Sequence, residues 1–185
     1  MKELLVFFIV IMLIITVFII MYNIMKTKEN YIKNAYSSLD VMLKRRCDLI
    51  PNLVSCVKGY MTHEKETLEN VIKLRNSALN ASDNNNLEIN SKLENQLKRL
   101  FINIESYPEL KADQSFNNLY AALVDTEEHI SAARRTYNAH VTAFNNFIEI
   151  VPNNLFASIL KFKKAKLFEI SVSERESKVW LDENN

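Results

Sequence analysis

One glycine, Gly59, and three prolines, Pro51, Pro108 and Pro152, are all the turn-making residues of their kind in 185 positions. A β-sandwich needs a turn about every 8–12 residues, so that architecture is excluded and long helices remain. A single glycine also rules out the G-x-x-x-x-G-K-[ST] and G-x-G-x-x-G phosphate cradles, and no serine stands in a G-x-S-x-G elbow. Nucleotide enzymes of those classes fall away. Excess charge of either sign is lacking too, with 23 basic residues against 22 acidic. Without a basic footprint, no nucleic acid is expected as a partner.

Histidine is equally scarce. His63 precedes Glu64, but Thr67 stands where H-E-x-x-H needs its second histidine. Neither His129 nor His140 follows a glutamate by three positions, so the Glu-x-x-His pairs of di-iron bundles are missing. Glu127-Glu128 and the pair Glu64 and Glu66 lie among cations and read as solvated ion pairs. Cys47 and Cys56 are nine positions apart, on opposite faces of one helix, and need no disulfide. No catalytic residue, cofactor or metal site is expected, and the chain is not read as an enzyme.

What the sequence has in abundance is one apolar run. Leu4 to Tyr22 (LLVFFIVIMLIITVFIIMY) holds fifteen Leu, Ile, Val or Phe in nineteen positions, with Thr16 its plainly polar member. As a helix it spans about 28 Å, the thickness of a hydrocarbon core, and its fifteen side chains favour insertion by roughly 5 to 9 kcal/mol. A cleaved signal peptide would have a shorter apolar region and a small-residue site, which MYNIMKTKEN lacks. Residues 1–25 are therefore read as an uncleaved, single-pass membrane anchor. Only Lys2 and the terminal amine precede the run, whereas Lys26, Lys28, Lys33, Lys44, Arg45 and Arg46 follow it. That bias predicts an outside N-terminus and a cytoplasmic body at the cell membrane.

From Tyr31 to Leu79 apolar residues recur at three- and four-residue steps, the mark of an amphipathic helix interrupted by Pro51. The proline marks either a kink or a helix-helix turn. Ser82 to Asn86 (SDNNN) reads as a loop closing a helical hairpin. A shorter helix then stops before Pro108, with Ser106 or Tyr107 at the next cap. The last long helix is predicted over about Glu109 to Ile150, ended by Pro152. At 1.5 Å per residue it would reach about 63 Å, which favours an elongated antiparallel bundle. Residues 26–170 form this body, and 171–185 a polar tail in which Val179, Trp180 and Leu181 are candidates for docking.

Polar residues on the apolar stripes carry the first site hypothesis. Arg46 falls between Leu43 and Leu49, and Glu127 and Arg134 flank Ile130 at heptad distance. A core tolerates such groups only in pairs, so Arg46 or Arg134 is expected to meet Glu127 across helices, fixing register more than adding stability. The second hypothesis concerns Lys161, Lys163, Lys164 and Lys166 within an aromatic-rich segment. They read as a solvated charged turn after a docked short helix, or as a contact with anionic lipid.

The stretch NAYSSLDVMLKRRCDLIPNLVSCVKGYMTHEKETLENV (Asn34 to Val71) resembles the hallmark segment of the LemA family of bacterial membrane proteins. YPELKADQSFNNLYAALVDTEEHISAARRTYNAHVTAFNNFIEIVPNNLFA (Tyr107 to Ala157) resembles its second signature, including Thr126-Glu127, Ala133-Arg134-Arg135, Tyr137-Asn138 and Phe144-Asn145. The glycine that the family carries near Leu160-Lys161 is absent. The resemblance implies an all-α protein with one N-terminal span and an up-and-down four-helix body whose first junction lies near Pro51. It carries over no catalytic residue, and one subgroup is associated with magnetosome membranes. The function expected is a membrane-anchored cytoplasmic scaffold or interaction protein, with Arg45, Arg46, Glu127, Arg134 and Arg135 as polar layer or partner surface. Its expected partners are the lipid bilayer and a protein, a second copy of itself being one option. The alternative is a peripheral lipid-binding or membrane-shaping module using the four lysines.

Overall fold

The structure, a computed structural model, describes residues 1–61, 64–81 and 83–168, without the side chains of Asp83 and Asn84. His63, Ser82 and the expected docking of Val179, Trp180 and Leu181 lie outside the described residues. All regular structure among the described residues is helical: α1 Lys2–Val57, α2 Lys65–Leu79, α3 Asp83–Ile104, α4 Pro108–Ala112, α5 Gln114–Glu149 and α6 Asn153–Ile159. The chain divides into two compact units, one of Met1–Ser38 with Ala133–Leu167, the other of Leu39–Ala132 with Phe168.

In the first unit, α1 begins with the apolar run, which is long and apolar enough to cross a membrane and whose most apolar stretch is exposed. Beyond the run, Met25, Ile32 and Ala35 are buried, as are Tyr137, Val141, Phe144 and Ile148 of α5 and Ala157 of α6. Tyr31 meets His140 with ring centres 5.6 Å apart, and Tyr36 meets Tyr137 at 6.0 Å. Helix α6 ends in a tight reversal: Phe162 N–H donates to Ala157 O at 3.0 Å and Lys161 N–H to Ser158 O at 3.2 Å. This is a Schellman ending, whose residue after the cap occupies the left-handed region. Lys161 fills that place with φ 59°, where a glycine would sit without the roughly 1–2 kcal/mol that a Cβ costs there.

The chain after Lys161 departs from the solvated turn the sequence suggested. Residues 162–168 form neither helix nor turn, and their backbone is tied to α5. Asn145 donates through Nδ2 to Ala165 O and accepts from Ala165 N–H at Oδ1, both at 2.9 Å, while Tyr137 O–H donates to Lys166 O at 2.8 Å. A side-chain amide has one donor end and one acceptor end, and here both match a single residue's peptide groups.

The second unit corrects three sequence-based expectations. The junction implied near Pro51 is not there: α1 runs through it to Val57. Proline lacks the N–H that would bond to the carbonyl four residues back, that of Cys47. Arg75 of α2 supplies the missing donor, with Nε 3.1 Å from Cys47 O, so the helix continues at no loss of a hydrogen bond. The loop expected over Ser82 to Asn86 is shorter, because α3 starts at Asp83 and Asn86 is already a buried helical residue. The helix expected over Glu109 to Ile150 is broken at Asp113, where α4 ends and α5 begins. Asp113 Oδ1 accepts the Phe116 N–H at 2.9 Å, an N-cap bond to the third helical residue. That bond holds the Asp113 carboxyl below its ordinary range. Tyr107 caps α4 ahead of Pro108, as the sequence suggested.

Helices α2 and α3 pack on each other. The core of this unit joins Ile50, Leu53, Val57 and Met61 to Leu68 and Val71, to Leu93, Leu97, Leu100 and Ile104, and to Leu110, Phe116 and Leu123.

The Cys47 carbonyl gives a direct test. Arg75→Met should lower stability by about 1 kcal/mol, the low end of the cost of orphaning an acceptor, because this bond is part-buried. In a Pro51→Ala background the restored backbone N–H takes that carbonyl, and the same Arg75→Met change should cost less than half as much. Thermal unfolding of the four variants followed by circular dichroism checks it, and equal costs in both backgrounds would contradict the assignment.

Candidate functional site

Leu39, Arg46 and Leu53 stand seven residues apart on α1 and are 0%, 1% and 0% exposed, so an arginine occupies a place in the buried stripe. Its guanidinium reaches two other helices. Nη1 donates to Glu127 Oε2 of α5 at 3.2 Å, and Nη2 donates to Asn90 of α3, at 2.8 Å to Oδ1 and 3.1 Å to the backbone O. Nε has no hydrogen-bond partner among the described residues.

The layer continues through Asn90, whose Nδ2 donates to Asn86 Oδ1 at 2.5 Å and Asn86 O at 2.9 Å. Asn86 Nδ2 donates to Asp40 Oδ1 at 3.4 Å, and Asp40 pairs with Lys44 at 2.7 Å. Polar contacts thus run from Glu127 on α5, through Arg46 on α1, across Asn90 and Asn86 on α3, and back to Asp40 and Lys44 on α1. Asn86 and Asn90 share a helix face because they are four residues apart. Beside Glu127, Thr126 is fully buried and donates its hydroxyl to Ala122 O at 2.7 Å, which satisfies it within its own helix.

Arg45, next to Arg46, points elsewhere: it pairs with Asp125 at 3.2 Å with both side chains about half exposed, a contact worth under about 1 kcal/mol. Arg134 and Arg135 belong to the first unit, the former half-buried and the latter exposed. Lys161, Lys163, Lys164 and Lys166 are exposed in that unit, and Lys164 pairs with Glu149. Reasoning from sequence found Arg46 and Glu127 but missed Asn86, Asn90, Asp40 and Arg75. A signal for the asparagines existed: Asn86, Asn90, Leu93, Leu97, Leu100 and Ile104 form one three- and four-step series.

A cavity of about 180 Å³ opens beside the layer, lined by Asp40, Lys44, Cys47, Asn86 and Asn90 among others. Its one sulfur is no nucleophile at neutral pH, since burial pushes the Cys47 thiol up. An arginine does not give up its proton in a protein, so the layer's central group is a fixed charge. No three His, Cys, Asp or Glu side chains come together to hold a metal ion among the described residues. The arrangement is suited to holding three helices at one level.

The whole layer falls inside the stretch matched by a family model: the LemA family model covers residues 35–180. The chain belongs to the LemA family. Protein LemA of Metamycoplasma hominis is 27% identical over 177 residues, covering 91% of this chain and 81% of that one. Magnetosome protein MamQ 2 of Paramagnetospirillum magneticum is 25% identical over 80% of this chain. Magnetosome protein MamQ of Magnetospirillum gryphiswaldense is 24% identical over 83% of it. This LemA-family chain spans 64% and 66% of the lengths of those two magnetosome proteins.

Removing one partner of a buried charge leaves the other stranded, whereas replacing the charge and its partners together by apolar residues of similar volume removes the demand itself. Arg46→Ala should therefore cost about 3–5 kcal/mol, and the joint replacement Arg46→Met, Asn90→Leu, Glu127→Leu less than about 1 kcal/mol. Glu127 is 34% exposed, so water can take over part of its role, and Glu127→Gln should cost about 1–3 kcal/mol. Thermal unfolding of the detergent-solubilised full chain reads all three, and an Arg46→Ala cost below that of Glu127→Gln would contradict the picture.

Proposed function

We propose that this LemA-family protein is a membrane-anchored scaffold that presents a helical body to a protein partner. The observation that carries the reading is that one helix, α1, begins as an exposed apolar run and later supplies the buried Arg46 of the polar layer. The anchor and the framework of the body are then one element, an arrangement suited to holding a surface at a membrane. In this reading 1–25 is the span, 26–170 an elongated antiparallel body of the up-and-down four-helix type, and 171–185 a tail. The excess of Lys and Arg just after the run sets the body in the cytoplasm.

Within the body, Arg46, Asn90 and Glu127 act as a register device: a charged donor accepts few alternative alignments of the helices that must supply its acceptors. Arg45 and Arg135, exposed, are candidates for the partner surface. Kinship with proteins named for the magnetosome is in keeping with a scaffolding role at a membrane. A second reading, contact with anionic lipid, draws on the exposure of Lys161, Lys163, Lys164 and Lys166.

Orientation and partnership are both open to measurement. A C-terminal green fluorescent protein fusion should fluoresce in bacterial cells while the matching alkaline phosphatase fusion stays inactive. The reverse pattern would contradict the cytoplasmic body. Crosslinking in the native membrane should return a stoichiometric protein, a second copy included, and crosslinks confined to lipid would favour the second reading.

A further inference from the structure

Helix α6 and the turn before it carry large apolar side chains on the outside. Leu155 and Ile159, four residues apart on α6, share one face and are 63% and 62% exposed, and Ile150 and Val151 in the preceding turn are 58% and 73% exposed. The opposite face is the docked one: Ala157 is buried, and Phe156 meets Phe18 of α1 edge to face with ring centres 5.0 Å apart. Just beyond, Phe162 meets both Tyr22 of α1 and Phe144 of α5 at 6.2 Å. In water these four large apolar side chains would be exposed together, an arrangement that soluble surfaces avoid.

The neighbour explains what covers that face. Phe18 lies four residues inside the end of the apolar run at Tyr22, about 6 Å along the helix axis. When the run crosses a bilayer, Phe156 is held at the depth of Phe18, and α6 lies where hydrocarbon gives way to headgroups. Interfacial helices bury their apolar face about 5–10 Å into that boundary. Backbone carbonyls on either side of α6 are paired locally: Asn153 Nδ2 donates to Phe147 O at 3.1 Å, and the Schellman ending closes the Ala157 and Ser158 carbonyls. Lys161 and Lys163, exposed just past the helix, have the stem length to reach headgroups.

We propose that α6 is a second membrane contact, an interfacial hook that immerses Ile150, Val151, Leu155 and Ile159 in the leaflet into which the span emerges. The proposal rests on the reading of the apolar run as a span, and its occupant is lipid. The face is continuous with the span through the Phe18–Phe156 contact.

The test uses tryptophan quenching in the full chain, with the sole native tryptophan removed by Trp180→Phe. Single tryptophans are placed by Leu155→Trp, by Ile14→Trp in the span and by Val124→Trp, an exposed site of the body. Each variant is reconstituted in phosphatidylcholine–phosphatidylglycerol vesicles whose acyl chains are brominated near the headgroup end or near the middle. The Leu155→Trp emission should fall about twofold with the shallow bromines and less with the deep ones, as an interfacial depth requires. Ile14→Trp should be quenched and Val124→Trp left unchanged. If Ile14→Trp is quenched while Leu155→Trp is not, the hook is overturned and the span stands. If Leu155→Trp emits at short wavelength without bromine quenching, protein covers the face and the hook is again overturned. If Ile14→Trp escapes quenching, the span reading fails and the hook with it.

Discussion

A guanidinium that is 1% exposed sets the terms for one half of this molecule. Arg46 keeps its charge whatever its surroundings, so the fold must bring acceptors to it instead of letting it neutralise. Those acceptors come from two other helices, a carboxylate of Glu127 and two oxygens of Asn90. The position is one where the flanking members of the stripe are Leu39 and Leu53, and a leucine would have packed there without conditions. An arginine packs only when α3 and α5 are both at the right level. The Asn90–Asn86–Asp40 relay extends that demand by two further residues, each of which would leave an orphaned polar group if α3 slipped by a turn.

The same accounting of donors and acceptors explains features elsewhere that look unrelated. With almost no glycine, the chain closes helix interruptions with long or amide side chains. Arg75 serves the carbonyl that Pro51 abandons. Asn145 serves both peptide groups of Ala165, Asn153 serves the Phe147 carbonyl as α5 runs out, and Asn117 serves the Lys111 carbonyl where α4 gives way to α5. Where glycine would have been the simplest answer, after α6, a lysine takes the left-handed conformation itself. A helical protein poor in turn residues thus relies on a few side chains at fixed places to pair its backbone groups.

The all-helical character, the N-terminal apolar run and the family were legible because they rest on long-range periodicity and on extended stretches of sequence. Arg46 and Glu127 were legible for a related reason, as charges out of place on apolar stripes. What was not legible turned on partners distant in sequence. Pro51 looked like a junction because its missing bond was visible and the Arg75 donor, 24 positions away, was not. The run SDNNN looked like a loop because asparagine favours turns in isolation, but Asn86 is bought back into a helix by its bonds to Asp40 and Asn90. Asp113 was hidden inside an apolar series that continues on both sides of it, so one helix was read where its carboxylate starts a new one.

A distance measurement addresses the register role of Arg46 most directly. Spin labels attached at Val41→Cys on α1 and Lys92→Cys on α3, with Cys47 and Cys56 replaced by alanine, report the relative placement of the two helices by double electron–electron resonance. Both labelled sites are exposed. With Arg46 in place the distribution should be narrow and single, and in Arg46→Met it should broaden or split although unfolding remains cooperative. A distribution as narrow and unshifted in Arg46→Met as with Arg46 in place would contradict the claim and leave the buried charge without a structural purpose.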